Sequence, residues 1–63
     1  MNATKKIARG EYEYRGYLIR RLGYYHPEKR VAWEGIDKNG DGIARGFTKR
    51  EIVREIDYMI DRI

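Results

Sequence analysis

The sequence predicts an α+β fold in which a three-stranded antiparallel β-sheet packs against one C-terminal α-helix, in the order β-β-β-α. Three observations predict it. A stripe of apolar residues at helical spacing ends the chain, a stretch rich in tyrosine and aliphatic residues precedes it, and Asn-Gly and Asp-Gly dipeptides lie between the last two strands. Because sequential strands with short connections usually pair, we expect a meander.

The predicted helix spans residues 48–63. Thr48 can accept a hydrogen bond from the backbone N–H three residues on, while Glu51 reaches back to the N–H of Thr48, which is the capping-box pattern. The apolar stripe follows from Ile52, Val53, Ile56, Met59, Ile60 and Ile63. A helix this short is marginal alone, so it must pack against the preceding residues.

The residues before the helix divide into an arm and three strands. Residues 1–10 lack periodicity and predict a flexible basic arm, and residues 11–63 a single small α+β domain. Residues 11–25 predict the first strand, in which Gly16 is expected at a bulge or a close backbone approach. A turn is predicted at 23–30, where Pro27 restricts His26.

The remaining strands are predicted at 31–37 and 42–47, on either side of the DKNGDG sequence. That sequence has a second interpretation. Asp37, Asn39 and Asp41 occupy the first, third and fifth positions of a loop that resembles the first half of an EF-hand or dockerin calcium loop, with Gly42 at the sixth. The twelfth position is Thr48 instead of a bidentate Glu. A hairpin turn and a weak calcium site both remain open.

Length and composition limit the class of protein. A chain of 63 residues makes one domain at most and buries only about 60% of its unfolded surface, so dimerisation is one way to compensate for a small core. There is no Cys, and the first ten residues lack the apolar run of a signal peptide or a membrane span. We therefore expect a soluble, cytoplasmic protein that does not associate with membranes.

The residue types argue against an enzyme. His26 is the only histidine and there is no Cys, so a Cys/His nucleophilic pair is excluded and no His-rich metal site can be built within one chain. The glycines are dispersed, without a phosphate-cradling loop that leads into a helix. We expect neither catalysis nor a cofactor.

The distribution of charge indicates a polyanion-binding surface. Residues 49–63 hold four basic and four acidic side chains, so the whole formal charge of +4 falls in residues 1–48. There, arginines alternate with tyrosines on the predicted strands, and an exposed face of this kind on a twisted sheet fits a DNA major groove. The predicted DNA-binding residues are Arg15, Tyr17, Arg20, Arg21, Arg30 and Arg45, with Lys5, Lys6 and Arg9 reaching the DNA backbone.

The same composition also suits a protein interface, since tyrosine and arginine are enriched there. The alternative is therefore a small protein-interaction module, such as an inhibitor or modulator of a host protein encoded by a phage or mobile element, or a homodimer that pairs through the sheet. Salt dependence separates the two interpretations, because binding to a polyanion weakens with salt.

Short motifs resemble two kinds of DNA-binding domain. YRG at 14–16, WEGID at 33–37 and GFT at 46–48 resemble the ethylene-response-factor type domain. The layout is also similar to the amino-terminal arm-binding domains of tyrosine-recombinase integrases, with Ile-Arg at 19–20 and Gly-Tyr-Tyr at 23–25. Both families lay a three-stranded sheet in the major groove.

These resemblances imply a small non-enzymatic DNA-binding protein, with a phage or mobile element as the expected source. The DNA-contacting arginine of the ethylene-response-factor motif corresponds to Arg15. The second contacting arginine of that family falls on Leu18, which leaves Arg20 and Arg21 as substitutes.

Overall fold

The fold is α+β with a C-terminal helix and an antiparallel sheet, as predicted, but the sheet has five strands among the described residues. The structure is a computed structural model that describes residues 4–62. Its elements are β1 (Lys5–Ala8), β2 (Glu11–Tyr14), β3 (Tyr17–Tyr25), β4 (Arg30–Ile36), β5 (Gly42–Gly46) and α1 (Lys49–Asp61). The strands pair in chain order, each antiparallel to the next, so the predicted meander is present with two additional strands.

The first additional strand lies in the segment predicted to be a flexible arm. Within residues 1–10, Lys5–Ala8 forms β1, an edge strand in which Lys6 pairs with Tyr12 of β2. Residues 5–8 of the predicted arm therefore belong to the sheet, and residues 1–3 lie outside the described part of the chain. The four-residue strand is exposed throughout, so backbone pairing holds it without the apolar pattern on which the prediction relied.

The second additional strand arises because the predicted first strand is divided by a hairpin turn. Arg15 and Gly16 have φ values of 51° and 86°, and Tyr14 pairs with Tyr17 across them. Positive φ at both central residues is the geometry of a two-residue type I′ turn, which favours glycine. Gly16 therefore reverses the chain and does not mark a bulge within one strand.

One face of the sheet carries the core. The side chains of Tyr14 and Ile19 are buried there against Ile52, Val53 and Ile56 of α1. The helix packs over β3, β4 and β5. Its closest approach is at Gly35, where an added Cβ would lie 2.8 Å from Cγ2 of Ile52, so a glycine is needed at this position of β4.

The start of the helix follows the prediction closely. Thr48 is the N-cap, and its hydroxyl accepts a hydrogen bond from the N–H of Glu51 at 3.1 Å. The Glu51 carboxylate reaches back one residue further than predicted and accepts from the N–H of Phe47 at 2.8 Å. Gly46 leaves room for this carboxylate, because a Cβ there would clash with it.

The apolar stripe is only partly buried. Ile52, Val53 and Ile56 are buried and Ile60 packs against the core at its edge, whereas Met59 is 39% exposed. Ile63, predicted to extend the stripe, lies outside the described residues. None of the helical structure in residues 4–62 has the length and apolarity that crossing a membrane requires.

Candidate nucleic-acid interface

The sheet face turned away from α1, which we call the outer face, carries a row of alternating charges across three strands. In the strand register Arg20 of β3 lies opposite Glu34 of β4, and Glu34 lies opposite Arg45 of β5. Nη2 of Arg20 donates to Oε1 of Glu34 at 3.1 Å, and Nε of Arg45 is 3.7 Å from Oε2 of the same carboxylate. Each arginine thus meets one oxygen of a shared carboxylate.

Glu34 is held in place while its partners remain accessible. Its residue is only 8% exposed, although it lies on the face opposite the helix. The carboxylate also lies over Gly42, where a Cβ would come within 2.8 Å of Oε2. The arginine side chains are 45% and 78% exposed. Within β3–β5 two guanidinium groups share one carboxylate, while Glu11 of β2 lies opposite Arg20 at the end of the same row, so the positive charge that solvent or a ligand can reach lies on the Arg45 side.

Beside this row lies an open depression that we call the aromatic groove. It has a volume of about 340 Å³ and is lined by Leu22, Tyr25, Ala32, Arg45, Gly46 and Phe47. The rings of Tyr25 and Phe47 lie 6.1 Å apart at an interplanar angle of 34°. The guanidinium of Arg30 lies 5.0 Å from the centre of the Phe47 ring, a cation–π contact. The groove therefore has an apolar floor, with Arg45 in its lining and Arg30 over the ring of Phe47.

A bulge in β3 creates this groove. Arg21 pairs with Trp33 and Gly23 pairs with Ala32, so Leu22 is an extra residue in the ladder. Before the bulge, Ile19 faces the helix. After it the alternation is reversed, so Tyr25 faces outward beside Ala32, although strict alternation from Ile19 would turn it toward the helix.

The structure does not bring all of the predicted DNA-binding residues together. Arg20, Arg30 and Arg45 share the outer face of β3–β5. The remaining six lie elsewhere: Arg21, Tyr17 and Lys6 on the helix side of the sheet, Lys5 on β1 opposite Glu13, Arg9 in the β1–β2 turn and Arg15 in the β2–β3 turn. The neighbours Arg20 and Arg21 point to opposite faces, because side chains alternate along a strand.

Arg15 is bound to the helix. Its guanidinium donates to Asp57 at 2.8 Å and to Asp61 at 3.1 Å, and the hydroxyl of the buried Tyr14 donates to Asp57 at 2.6 Å. The hydrogen bond from Tyr14, followed by that from Arg15, holds the pKa of the Asp57 carboxyl below its ordinary value. This cluster fastens the β2–β3 turn to α1, on the opposite side of the sheet from the aromatic groove.

The loop with a calcium-like spacing has the geometry of a hairpin turn. Oδ1 of Asp37 accepts from the N–H groups of Asn39 at 2.9 Å and Asp41 at 3.0 Å. The N–H of Gly40 also donates to the carbonyl of Asp37 at 3.0 Å. In residues 4–62, no group of three or more His, Cys, Asp or Glu side chains is placed to hold a metal ion. The Asp37 carboxylate thus accepts hydrogen bonds from the backbone of its own loop.

The sequence prediction missed the residues that form the groove and the central carboxylate: Leu22, Tyr25, Ala32, Glu34 and Phe47. Gly23 carries the one signal that could have found them, because a glycine inside a strand often marks a bulge. Comparison of the chain with protein-family models, with curated proteins and with solved structures gives no match.

Proposed function

We propose that this protein binds DNA through the outer face of β3–β5. Each of the three strands contributes one arginine to this face: Arg20 from β3, Arg30 from β4 and Arg45 from β5. Glu34 is the single acidic residue in these strands, and it is already paired. The observation that carries the proposal is this excess of exposed arginine around one shielded carboxylate.

The chemistry of arginine fits this role. A guanidinium presents a planar fork of donors that matches a carboxylate or a phosphate, and it remains charged at any physiological pH. Arg20 and Arg45 already converge on an anion in the protein, from the two strands that flank Glu34. We expect the donors that are not directed at Glu34 to contact phosphates of the DNA backbone.

The other half of the outer face is unsuited to DNA. On β2, Glu11 lies opposite Arg20 and Glu13 lies between Lys5 and Leu18. Acidic side chains here oppose a polyanion, so the proposed contact is confined to β3–β5. Arg15 does not belong to the proposed contact, because Asp57 and Asp61 hold it on the helix side.

The proposal is tested by comparing Arg45→Gln with Arg21→Gln in titrations of a fluorescently labelled random-sequence duplex. Both changes remove one exposed positive charge, but Arg21 lies on the helix side and serves as the matched control. We expect Arg45→Gln to weaken binding and to reduce the salt slope by about 0.9, the value for one phosphate contact, and Arg21→Gln to change neither. Equal effects of the two variants would show that DNA does not bind through the outer face of β3–β5.

The label belongs on the DNA because the fluorescence of Trp33 is not a direct reporter of this face. Trp33 is half-buried on the helix side, where its ring lies 6.2 Å from that of Tyr12. Circular dichroism of each variant serves as the folding control. Arg45 is preferred to Arg20 for the test, because loss of Arg20 removes the closer partner of the buried Glu34.

A protein-interaction module remains the second candidate, and one observation favours it. Leu22 and Tyr25 are 46% and 49% exposed on the outer face, and apolar side chains presented in this way suit a protein partner or a second copy of the chain. An interface held by their burial should keep its affinity as salt rises. Sedimentation at low and high salt tests the homodimer, which should persist at both.

A further inference from the structure

We infer that the aromatic groove is a subsite for an unpaired base of single-stranded DNA. The inference rests on the proposed function and deepens it by naming the form of DNA. In a duplex the faces of each base are covered by its neighbours, whereas an unpaired base offers both faces for stacking. The groove presents ring and aliphatic surface from Tyr25, Phe47 and Leu22, which suits a base face better than a base edge.

The polar groups of the groove are arranged for phosphates and not for reading bases. Among its lining residues, Arg45 alone carries a charged side chain, and the Tyr25 hydroxyl is the other polar side-chain group. Arg30 lies over the Phe47 ring. A single strand that lays one base on the rings would bring its flanking phosphates toward these two arginines. Binding should therefore tolerate any base, because stacking and charge do not discriminate strongly among bases.

Charge and burial support a nucleic-acid strand as the occupant. Arg30 and Arg45 lie near the apolar floor. Of the carboxylates nearby, Glu34 is paired with Arg45 and Arg20, and Glu51 accepts a hydrogen bond from the N–H of Phe47, so both are already engaged within the protein. Tyr25 keeps 49% of its surface exposed, so its ring is available for stacking. Combination of exposed aromatic rings with cations along a groove is the arrangement that proteins use for single strands.

The test uses two labelled single strands of about eight nucleotides, a length within the usual site sizes. One is oligothymidine and the other is an abasic strand with the same sugar-phosphate backbone but no bases. Both are titrated at low salt against the wild type, Tyr25→Ala and Tyr24→Ala. Tyr24 is the matched control, because it is the adjacent tyrosine, is 55% exposed and faces the opposite side of β3.

We expect the wild type to bind oligothymidine about 5- to 150-fold more tightly than the abasic strand, the range that corresponds to one stacked base. Tyr25→Ala should lose most of this preference while its affinity for the abasic strand stays unchanged. Tyr24→Ala should keep the preference. Phe47 is left intact, because its ring also holds the cation–π contact with Arg30.

Other outcomes separate this inference from the proposed function. Equal affinity for the two strands, with Tyr25→Ala unchanged, would overturn the base subsite and leave phosphate binding through the outer face intact. A preference that Tyr24→Ala and Tyr25→Ala lose equally would also overturn it, because the groove would then not be the site. Failure of both single strands and of duplex DNA to bind at low salt would overturn the proposed function itself.

Discussion

Replacement of Gly35 by alanine should destabilise the fold by a calculable mechanism. The added Cβ would lie 2.8 Å from Cγ2 of Ile52 and 3.6 Å from Cβ of Ala44, so α1 and β4 would have to move apart at the centre of the core. Overpacking of this kind costs about 1–3 kcal/mol. Alanine recovers about 0.5–1 kcal/mol in a strand by reducing backbone entropy. The net loss in the free energy of unfolding should be between zero and about 2.5 kcal/mol.

Urea denaturation followed by circular dichroism measures this loss, and substitutions of Ile52 identify its cause. Ile52→Leu keeps the side-chain volume but removes the β-branch that carries Cγ2, whereas Ile52→Val keeps Cγ2. In a double-mutant cycle, Gly35→Ala should cost less in the Ile52→Leu background by about 0.5 kcal/mol or more, and no less in the Ile52→Val background. The same cost of Gly35→Ala in both backgrounds would refute the close helix approach.

Three further predictions concern the hydrogen bonds of Asp57, the N-cap of α1 and the loop at 37–41. Because the pKa of Asp57 is lower in the folded chain than in the unfolded one, its contribution to stability is present above the ordinary pKa of about 3.9 and is lost as the pH falls through the folded value. The difference in melting temperature between wild type and Asp57→Asn should therefore shrink on acidification. A constant difference would show that the hydrogen bonds from Tyr14 and Arg15 to Asp57 do not stabilise the fold. Thr48→Ala should cost about 0.5–2 kcal/mol by removing the N-cap acceptor, measured by urea denaturation, whereas an unchanged midpoint would show that the cap contributes nothing. Calcium and chelator should both leave the melting temperature unchanged, because the Asp37 carboxylate already accepts two backbone hydrogen bonds, and a rise with calcium would restore the metal-site interpretation.

The elements that the sequence predicted well are those with local signals. Thr48 and the buried positions Ile52, Val53 and Ile56 are recognisable within one segment, since capping and a 3.6-residue period need no knowledge of the rest of the chain. The turn predicted at 23–30 is present at 26–29, with Pro27 in its second position, whereas residues 23–25 and 30 belong to β3 and β4.

The features that the sequence did not reveal depend on pairing between segments. β1 has no apolar alternation, and its strand conformation is fixed by β2. The reversal at Arg15 was hidden because a non-glycine residue there adopts a positive φ, which favours Gly, Asn or Asp. Residues 11–25 were therefore predicted as one strand with alternating side chains, although a turn divides them.

The grouping of residues at the candidate site was not predictable for a related reason. Composition identified arginines and tyrosines, but only the register decides which of them share a face. Arg20 and Arg21 lie on opposite faces of the sheet because side chains alternate along a strand. Tyr25 lies on the outer face because the bulge at Leu22 reverses that alternation. The pairing of Glu34 with two arginines likewise needs three strands in register, which no single segment of the sequence specifies.

The most direct test of DNA binding through the outer face is the salt dependence of wild-type binding to a labelled random-sequence duplex. With two or three arginines paired to phosphates, affinity should fall about 10- to 40-fold between about 50 and 200 mM salt. Saturable binding at low salt with a fall of this size is the predicted result. No binding at low salt, or an affinity that does not change with salt, would contradict DNA binding through the outer face and would favour a protein partner.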